Sequence, residues 1–189
     1  MESIRIIKTM KTLSKELILE TAHRMVVERG MEKVNLSKVS TALGTTHAAI
    51  YRYFSSKEEL WTELALSWLD HELAGLFPFN TEKYSTKKDI VHAWLWVLSK
   101  SKYDAYVREP EMFKLYTAYI DRNPVVVTRH IGDLLDSLKA ASGIEDVGQL
   151  YAVLMAFSYF SAPAYAENWL SMDFKAQFEA VWKLIESGI

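Results

Sequence analysis

The chain has 189 residues, half of them apolar and 24% charged, so it can bury one large core or two smaller ones and is not a disordered polymer. Seven Gly and four Pro are too few for a turn-rich β-sandwich, and the absence of Cys excludes disulfide frameworks, Cys-based zinc or iron–sulfur sites and thiol nucleophiles. A net charge of −2 argues against a polyanionic partner only if the charge is evenly spread, and it is not: residues 1–57 carry ten Lys/Arg against five Glu (net +5), and residues 58–189 carry twelve Lys/Arg against nineteen Asp/Glu (net −7).

In chain order, Leu13, Leu17, Ile18, Ala22, Met25 and Val26 recur at three- to four-residue spacing and predict a helix over about 14–29, stopped by Gly30. Asn35 is positioned to cap a short helix through Leu36, Val39 and Leu43, Gly44 supplies a turn, and Thr46 caps a further helix over 46–54. In that last helix Ala49, Ile50, Tyr53 and Phe54 are expected to face inward. Ser56 followed by Glu59 reads as a capping box opening a long helix to about residue 77, with Leu60, Leu64, Trp68 and Leu69 as its core stripe and Pro78 as its end. After a polar loop over 80–85, residues 86–108 predict one long or two broken helices, and further helices follow at about 111–121, 125–141, 146–162 and 173–187.

No strand is predicted, so the fold class is all-α: a three-helix head (residues 1–57) on a larger helical body (residues 58–189). Residues 147–166 form an uncharged run of twenty, but Gly148, Gln149, Ser158, Ser161, Pro163 and acidic flanks disfavour a membrane span and predict a buried or subunit-facing helix. Residues 1–11 hold basic side chains without an apolar stretch of signal-peptide length, so a cytoplasmic protein is expected.

Two short helices around Gly44 make a helix-turn-helix, the unit that presents the first turn of its second helix to base edges. Ala48 and Ala49 are small where the helix must approach the groove, His47 can offer a ring nitrogen, and Arg52 carries a fixed charge. Asn35, Ser37, Thr46, Tyr51 and Tyr53 are hydrogen-bonders of the kind that hold phosphates, with Lys38, Thr45 and Lys57 completing the expected contact set.

Residues 14–61 resemble the N-terminal domain of the TetR/AcrR family of bacterial transcriptional regulators, on Gly44, Tyr51, Tyr53, Phe54, Lys57, Glu59 and Leu60. The resemblance implies phosphate contacts from Tyr51, Tyr53 and Lys57, anchoring by Asn35 and Ser37, and an operator face of Thr46, His47, Ala48 and Arg52. Ser40, Leu43 and Thr45 depart from the family pattern, and Leu43 in place of Ala bears on the angle between the two helices. Beyond residue 61 the chain is similar to the family only in length and helical character.

All six Trp lie at or beyond Trp61. Trp94, Tyr103, Tyr106, Phe113, Tyr116, Tyr119 and Trp169 are the expected lining of a cavity for a small hydrophobic effector, flat or cationic, with Glu109, Asp104 or Asn168 as polar contacts. Two stripes, Leu150, Val153, Leu154 and Phe157 with Phe160, and Phe178, Val181, Trp182 and Ile185 with Phe174, are the expected homodimer interface. The expected protein is a repressor that binds a near-palindromic operator as a homodimer and is released by its effector; a weakly specific architectural DNA binder is the alternative. No Gly-rich phosphate loop, nucleophile elbow or paired-His metal motif occurs, so neither catalysis, cofactor nor metal is expected.

Overall fold

The structure, a computed structural model, describes residues 12–189; Arg5, Lys8, Lys11 and the expected lack of a leader over 1–11 lie outside the described residues. Helix α1 (Lys15–Arg29) starts where Ser14 Oγ accepts the Leu17 N–H at 3.2 Å, and it buries Ile18, Ala22, Met25 and Val26. Leu13 and Leu17, at its open end, stay half-buried. A 3₁₀ turn (Met31–Lys33) leads to α2 (Leu36–Ala42), whose first turn is held by Asn35 Oδ1 accepting the Lys38 N–H at 3.0 Å.

The turn that follows rests on Gly44 at φ +64°, a conformation that strains any residue with a Cβ. Thr46 Oγ1 then accepts the Ala49 N–H and opens α3 (His47–Ile50). The regular helix is shorter than the predicted 46–54. Ile50 O accepts from both Tyr53 N and Phe54 N, which tightens the chain into turns and swings Phe54 into the core. Tyr53, expected inward, instead lies at the surface with its hydroxyl donating to Leu13 O at 2.6 Å.

Helix α4 (Lys57–Glu72) begins at Ser56, whose Oγ accepts the Glu59 N–H at 3.0 Å. Glu59 closes the box one residue early, its carboxylate taking the Ser55 N–H and hydroxyl, and those bonds hold its carboxyl below the ordinary value. The α-helix ends at Glu72 and a 3₁₀ turn (Ala74–Leu76) carries the chain to Pro78. The chain divides into two compact units, Met1–Leu60 and Trp61–Ile189, and the division falls within α4.

In the second unit, α5 (Lys87–Arg108) is one unbroken helix capped by Thr86. It is followed by α6 (Pro110–Tyr116), a π turn (Thr117–Asp121) and α7 (Pro124–Ser142), which ends on Gly143 at φ +64°. The predicted helix over 146–162 breaks: α8 (Val147–Ala156) gives way to 3₁₀ turns at Ser158–Phe160 and Pro163–Tyr165, as Phe157 N and Phe160 N donate to carbonyls three residues back. A short α9 (Ala166–Trp169), not foreseen, precedes α10 (Phe174–Ile185). Among the described residues there is no strand, and no helix is long and apolar enough to cross a membrane.

Helix α5 is the central element of this unit, packed by α6, α7 and α9. Trp94 is 0% exposed, and its Nε1–H donates to Ser137 Oγ at 3.0 Å while that hydroxyl donates to Leu76 O at 2.6 Å. This relay ties α5, α7 and the end of the α4 extension inside an apolar core.

Two glycines separate backbone strain from helix propensity. Gly44→Ala should lower stability by about 1 kcal/mol, because a Cβ there meets no atom within 4 Å and only the positive φ penalises it. Gly132→Ala, inside α7 and also facing open space, should raise stability by about 0.5–1 kcal/mol. Urea-denaturation midpoints of the two variants should move in opposite directions.

Candidate nucleic-acid interface and interior cavity

Of the eleven residues expected to meet DNA, Asn35, Ser37, Lys38, Thr46, His47, Ala48, Tyr51, Arg52, Tyr53 and Lys57 are exposed, and Thr45 is half-buried. His47, Ala48, Tyr51 and Arg52 follow one another at one, four and five residues, the spacing of one face of a helical turn, while Ile50 and Phe54 on the other side enter the core. The His47 and Tyr51 rings meet edge to face at 5.1 Å, which fixes both at the surface. Asn35 and Thr46 use an oxygen to cap a helix and so keep the amide NH₂ and the hydroxyl hydrogen for an acceptor outside. Tyr53 differs: its hydroxyl hydrogen is given to Leu13 O, which fastens the start of α1 to the segment after α3.

The second unit encloses a cavity of about 220 Å³ between α5, α6, α7 and α8. Tyr116 alone of the seven aromatics predicted to line a ligand site borders it. The others pack on one another, because a buried ring gains most from neighbouring rings. Phe113 stands edge-on to Trp68, Tyr106, Tyr116 and Trp169, Tyr103 leans on Phe174 at 4.8 Å, and Trp169 donates to Tyr159 O at 2.8 Å. Trp94 belongs to the relay with Ser137, and Tyr119 is half-buried outside the cavity wall. The expected polar contacts are also engaged elsewhere or exposed: Glu109 accepts from Trp68 Nε1 at 2.8 Å, Asp104 pairs with Lys100, and Asn168 faces outward.

Two ionisable side chains of opposite sign, Lys102 and Asp121, stand in the cavity wall, and neither is among the residues expected from the sequence. Lys102 is 2% exposed, its Nζ donating to Tyr116 Oη at 2.8 Å and lying 4.1 Å from that ring's centre. Among the described residues no carboxylate comes within ion-pairing reach of it. Burial pulls the Lys102 ammonium down to about 7, with Asp121 opposing the shift. Burial also pushes the Tyr116 phenol up, raises the Asp121 carboxyl and, helped by the Lys102 charge, drops His130 to about 3. A signal for Lys102 was present in its position: Val91, Leu95, Leu98, Lys102 and Ala105 fall at alternating four- and three-residue steps, so the lysine stands in an apolar stripe. A wider, open groove of about 530 Å³ lies on the other side of His130, edged by Asp70, Asp133 and Asp136. No group of three or more His, Asp or Glu able to hold a metal occurs among the described residues.

The predicted dimer stripes point inward. Leu150, Val153, Leu154, Phe157, Phe178 and Trp182 are buried within the single chain, with Val181 and Ile185 half-buried, because the largest apolar side chains of α8 and α10 fill the core of their own unit. The outward surfaces of those helices carry Tyr151, Ala152 and Ala156 on α8, and Ala180 and Leu184, 80% exposed, on α10.

Comparison with known proteins agrees with this architecture. Residues 18–64 match the family described as bacterial regulatory proteins, tetR family, and residues 88–182 match the tetracyclin repressor-like C-terminal domain. The nucleoid occlusion factor SlmA of Pasteurella multocida (strain Pm70) is 28% identical over 75 residues, 40% of this chain and 36% of that protein. The uncharacterized HTH-type transcriptional regulator YvdT of Bacillus subtilis (strain 168) is 36% identical over 58 residues, 31% of this chain and 30% of that protein, so the chain spans about a third of the length of these relatives. The crystal structure of BioQ with its double-stranded DNA operator superposes with a TM-score of 0.62 at 20% identity, covering 93% of this chain and 99% of that one. With matched segments in both units and the helix-turn-helix between Leu36 and Ile50, the chain belongs to the TetR family of bacterial DNA-binding transcriptional regulators.

Proposed function

We propose that the chain is a ligand-responsive repressor that binds a near-palindromic operator as a homodimer in the cytoplasm and is released by a small effector held in the second unit. The observation that carries the DNA reading is the exposed set His47, Ala48, Tyr51 and Arg52 on α3 and its following turn, flanked by Lys38 and Lys57. His47, Ala48 and Arg52 read base edges, Thr45 and Thr46 border them, and Asn35, Ser37, Tyr51, Tyr53 and Lys57 hold phosphates and set the register. Residues 1–57 carry this role and residues 58–189 carry ligand binding and dimerisation.

Two observations favour this over an architectural DNA binder. One short recognition helix reads only a few base pairs, and a second copy ~34–36 Å away reads the matching half-site. The face of α8 and α10 that carries Tyr151, Ala152, Ala156, Ala180 and Leu184 suits that pairing: small residues let helices approach and the larger ones lack cover in the single chain. An architectural protein also has no use for a hollow that encloses a lysine. Effector binding reaches the head through α4: Tyr116, at the cavity wall, leans on Trp68 of α4 at 6.2 Å, and the first turn of α4 presents Lys57. The effector releases the operator to the extent that it binds two settings of α4 with different affinity.

The operator is identified by selection from random duplex DNA, and a thermal-shift library screen identifies stabilising compounds. On the selected operator, Lys57→Ala should weaken binding to all sequences alike and reduce the slope of log K against log salt by about 2 per dimer, one phosphate contact per half-site. His47→Ala should instead change the preferred base at one or two positions of each half-site, read by repeating the selection. An unchanged preference removes His47 from base reading.

Ala152→Arg, in the middle of the outward face of α8, should convert the dimer to monomers in sedimentation and weaken operator binding by at least about 100-fold, because the second half-site no longer adds to the first. A variant that stays dimeric moves the interface elsewhere.

A further inference from the structure

We infer that the interior cavity is built for a small apolar monocarboxylic acid, whose carboxylate pairs with Lys102 and Tyr116 while its hydrocarbon part occupies the space between α5, α7 and α8. This deepens the effector reading above and rests on it.

Four observations lead there. The Lys102 ammonium has three donors and one neutral acceptor, the Tyr116 hydroxyl. Asp121 acts on this buried cation only from beyond ion-pairing distance, and a ligand carboxylate supplies a counter-charge in direct contact with charge-assisted hydrogen bonds. A cationic ligand would add a second positive charge beside the first, which reverses the expectation of a cationic guest. Most of the remaining wall is apolar, with Leu98, Ile120, Ile131, Leu134, Leu154 and Met155, so the bulk of the ligand is hydrocarbon, while Asp121, His130, Ser158 and Ser161 are the other polar side chains of the lining. Size limits it further: a cavity of ~150 Å³ takes a benzene ring, and 220 Å³ takes a ring or short chain of about ten non-hydrogen atoms in all.

Protonation gives the site a signature. Lys102, at about 7, is mostly neutral at pH 8.5, so an anion that pairs with the ammonium must bring a proton in with it. Three other titratable groups face the lysine. Tyr116, pushed up, and His130, down at about 3, both stay neutral through this range. Asp121, raised by burial and itself neighboured by Arg122, is the remaining one and needs its own control. Affinity for the acid should therefore be flat between about pH 5.5, above which the ligand is a carboxylate, and pH 7, and fall towards tenfold per pH unit above it.

The test uses the full-length protein and two matched sets of probes: phenylacetate, phenylacetamide and phenethylamine, and hexanoate, hexanamide and hexylamine. Each acid should raise the melting temperature by about 3 °C or more at ten times its Kd, and the amides and amines should not. Calorimetry at pH 8.5 in two buffers of different ionisation enthalpy should show uptake of about one proton per acid bound. Lys102→Met, similar in length and uncharged, should melt cooperatively and lose the acid response, and Asp121→Asn should keep the fall in affinity above pH 7. Equal shifts from acid and amide, a response to the amine in place of the acid, no response to either acid, absence of proton uptake, an acid response that survives Lys102→Met, or loss of the fall above pH 7 in Asp121→Asn each overturns the assignment. These outcomes are separable from failure of the effector reading: a library whose stabilising compounds are all neutral or cationic removes the acid alone, whereas a library with no stabilising compound removes the effector.

Discussion

A polar side chain carried into the interior by a helix enclosed in its own unit costs free energy unless it finds a partner. Helix α5 is under that constraint along most of its length, with the Ser99 hydroxyl left without one among the described residues. Trp94 and Lys102 meet it in different ways. The Trp94 donor passes through Ser137 to a backbone carbonyl, so at that end each polar group has a partner. Eight residues further along α5, Lys102 shares its cavity with His130, which lies seven residues before Ser137 on α7. The pairings run in opposite directions along the two helices, about 10–12 Å apart at 1.5 Å per residue, as antiparallel packing requires. Where the Trp94 end closes on a hydrogen-bonded relay, the Lys102 end stays hollow, with an ammonium that has one neutral acceptor. A closed relay and a hollow, the proposed ligand site, thus come from neighbouring stretches of one helix interface.

The first unit resolves a related conflict between structure and recognition. Short polar side chains are favoured both at helix starts and at phosphate contacts, and Asn35 and Thr46 stand at helix starts. Capping uses an acceptor on each, while a phosphate asks for a donor, so the two roles do not compete. Tyr53 is the exception, since its hydroxyl already donates to Leu13 O. The proposed phosphate contact from Tyr53 would therefore exchange that bond for another and couple the start of α1 to DNA. The outward electrostatics follow the same division, with an excess of Lys/Arg over 1–57 and of Asp/Glu over 58–189.

Legibility in the sequence tracked how local the determining physics is. Caps at Asn35, Thr46 and Ser56 were readable because a cap is decided within four residues, and so was the turn at Gly44, where only the backbone conformation matters. Burial direction was less readable. The stripes of α8 and α10 were correctly seen as apolar, yet periodicity does not say whether an apolar stripe meets its own chain or a second copy; the large side chains went inward and left Ala152 and Leu184 outside. The cavity was least readable, because a hollow is set by what four helices fail to fill. Aromatic content pointed to the densest packing instead of the empty space. The lysine at an apolar stripe position was the better pointer, since a charge where the pattern demands a hydrocarbon has to be answered by something.

If the cavity holds the proposed ligand, that answer bears on how binding there would reach the DNA. Trp68, on α4, is held at both ends: its Nε1–H by Glu109 and its ring by Phe113 and Tyr116. Tyr116 in turn is the sole hydrogen-bond partner of the Lys102 ammonium among the described residues. A carboxylate that takes over part of that ammonium changes what holds the Tyr116 hydroxyl, and the tyrosine ring is part of the seat of Trp68. Coupling of this kind is reciprocal in free energy, so an operator that favours one setting of α4 must disfavour the ligand by the same factor by which the ligand disfavours the operator. A ligand with no preference between the two seats of Trp68 would bind tightly and regulate nothing. On the proposed reading, selectivity for the effector and strength of regulation converge on the same pair, Lys102 and Tyr116, so that a substitution at either should move both.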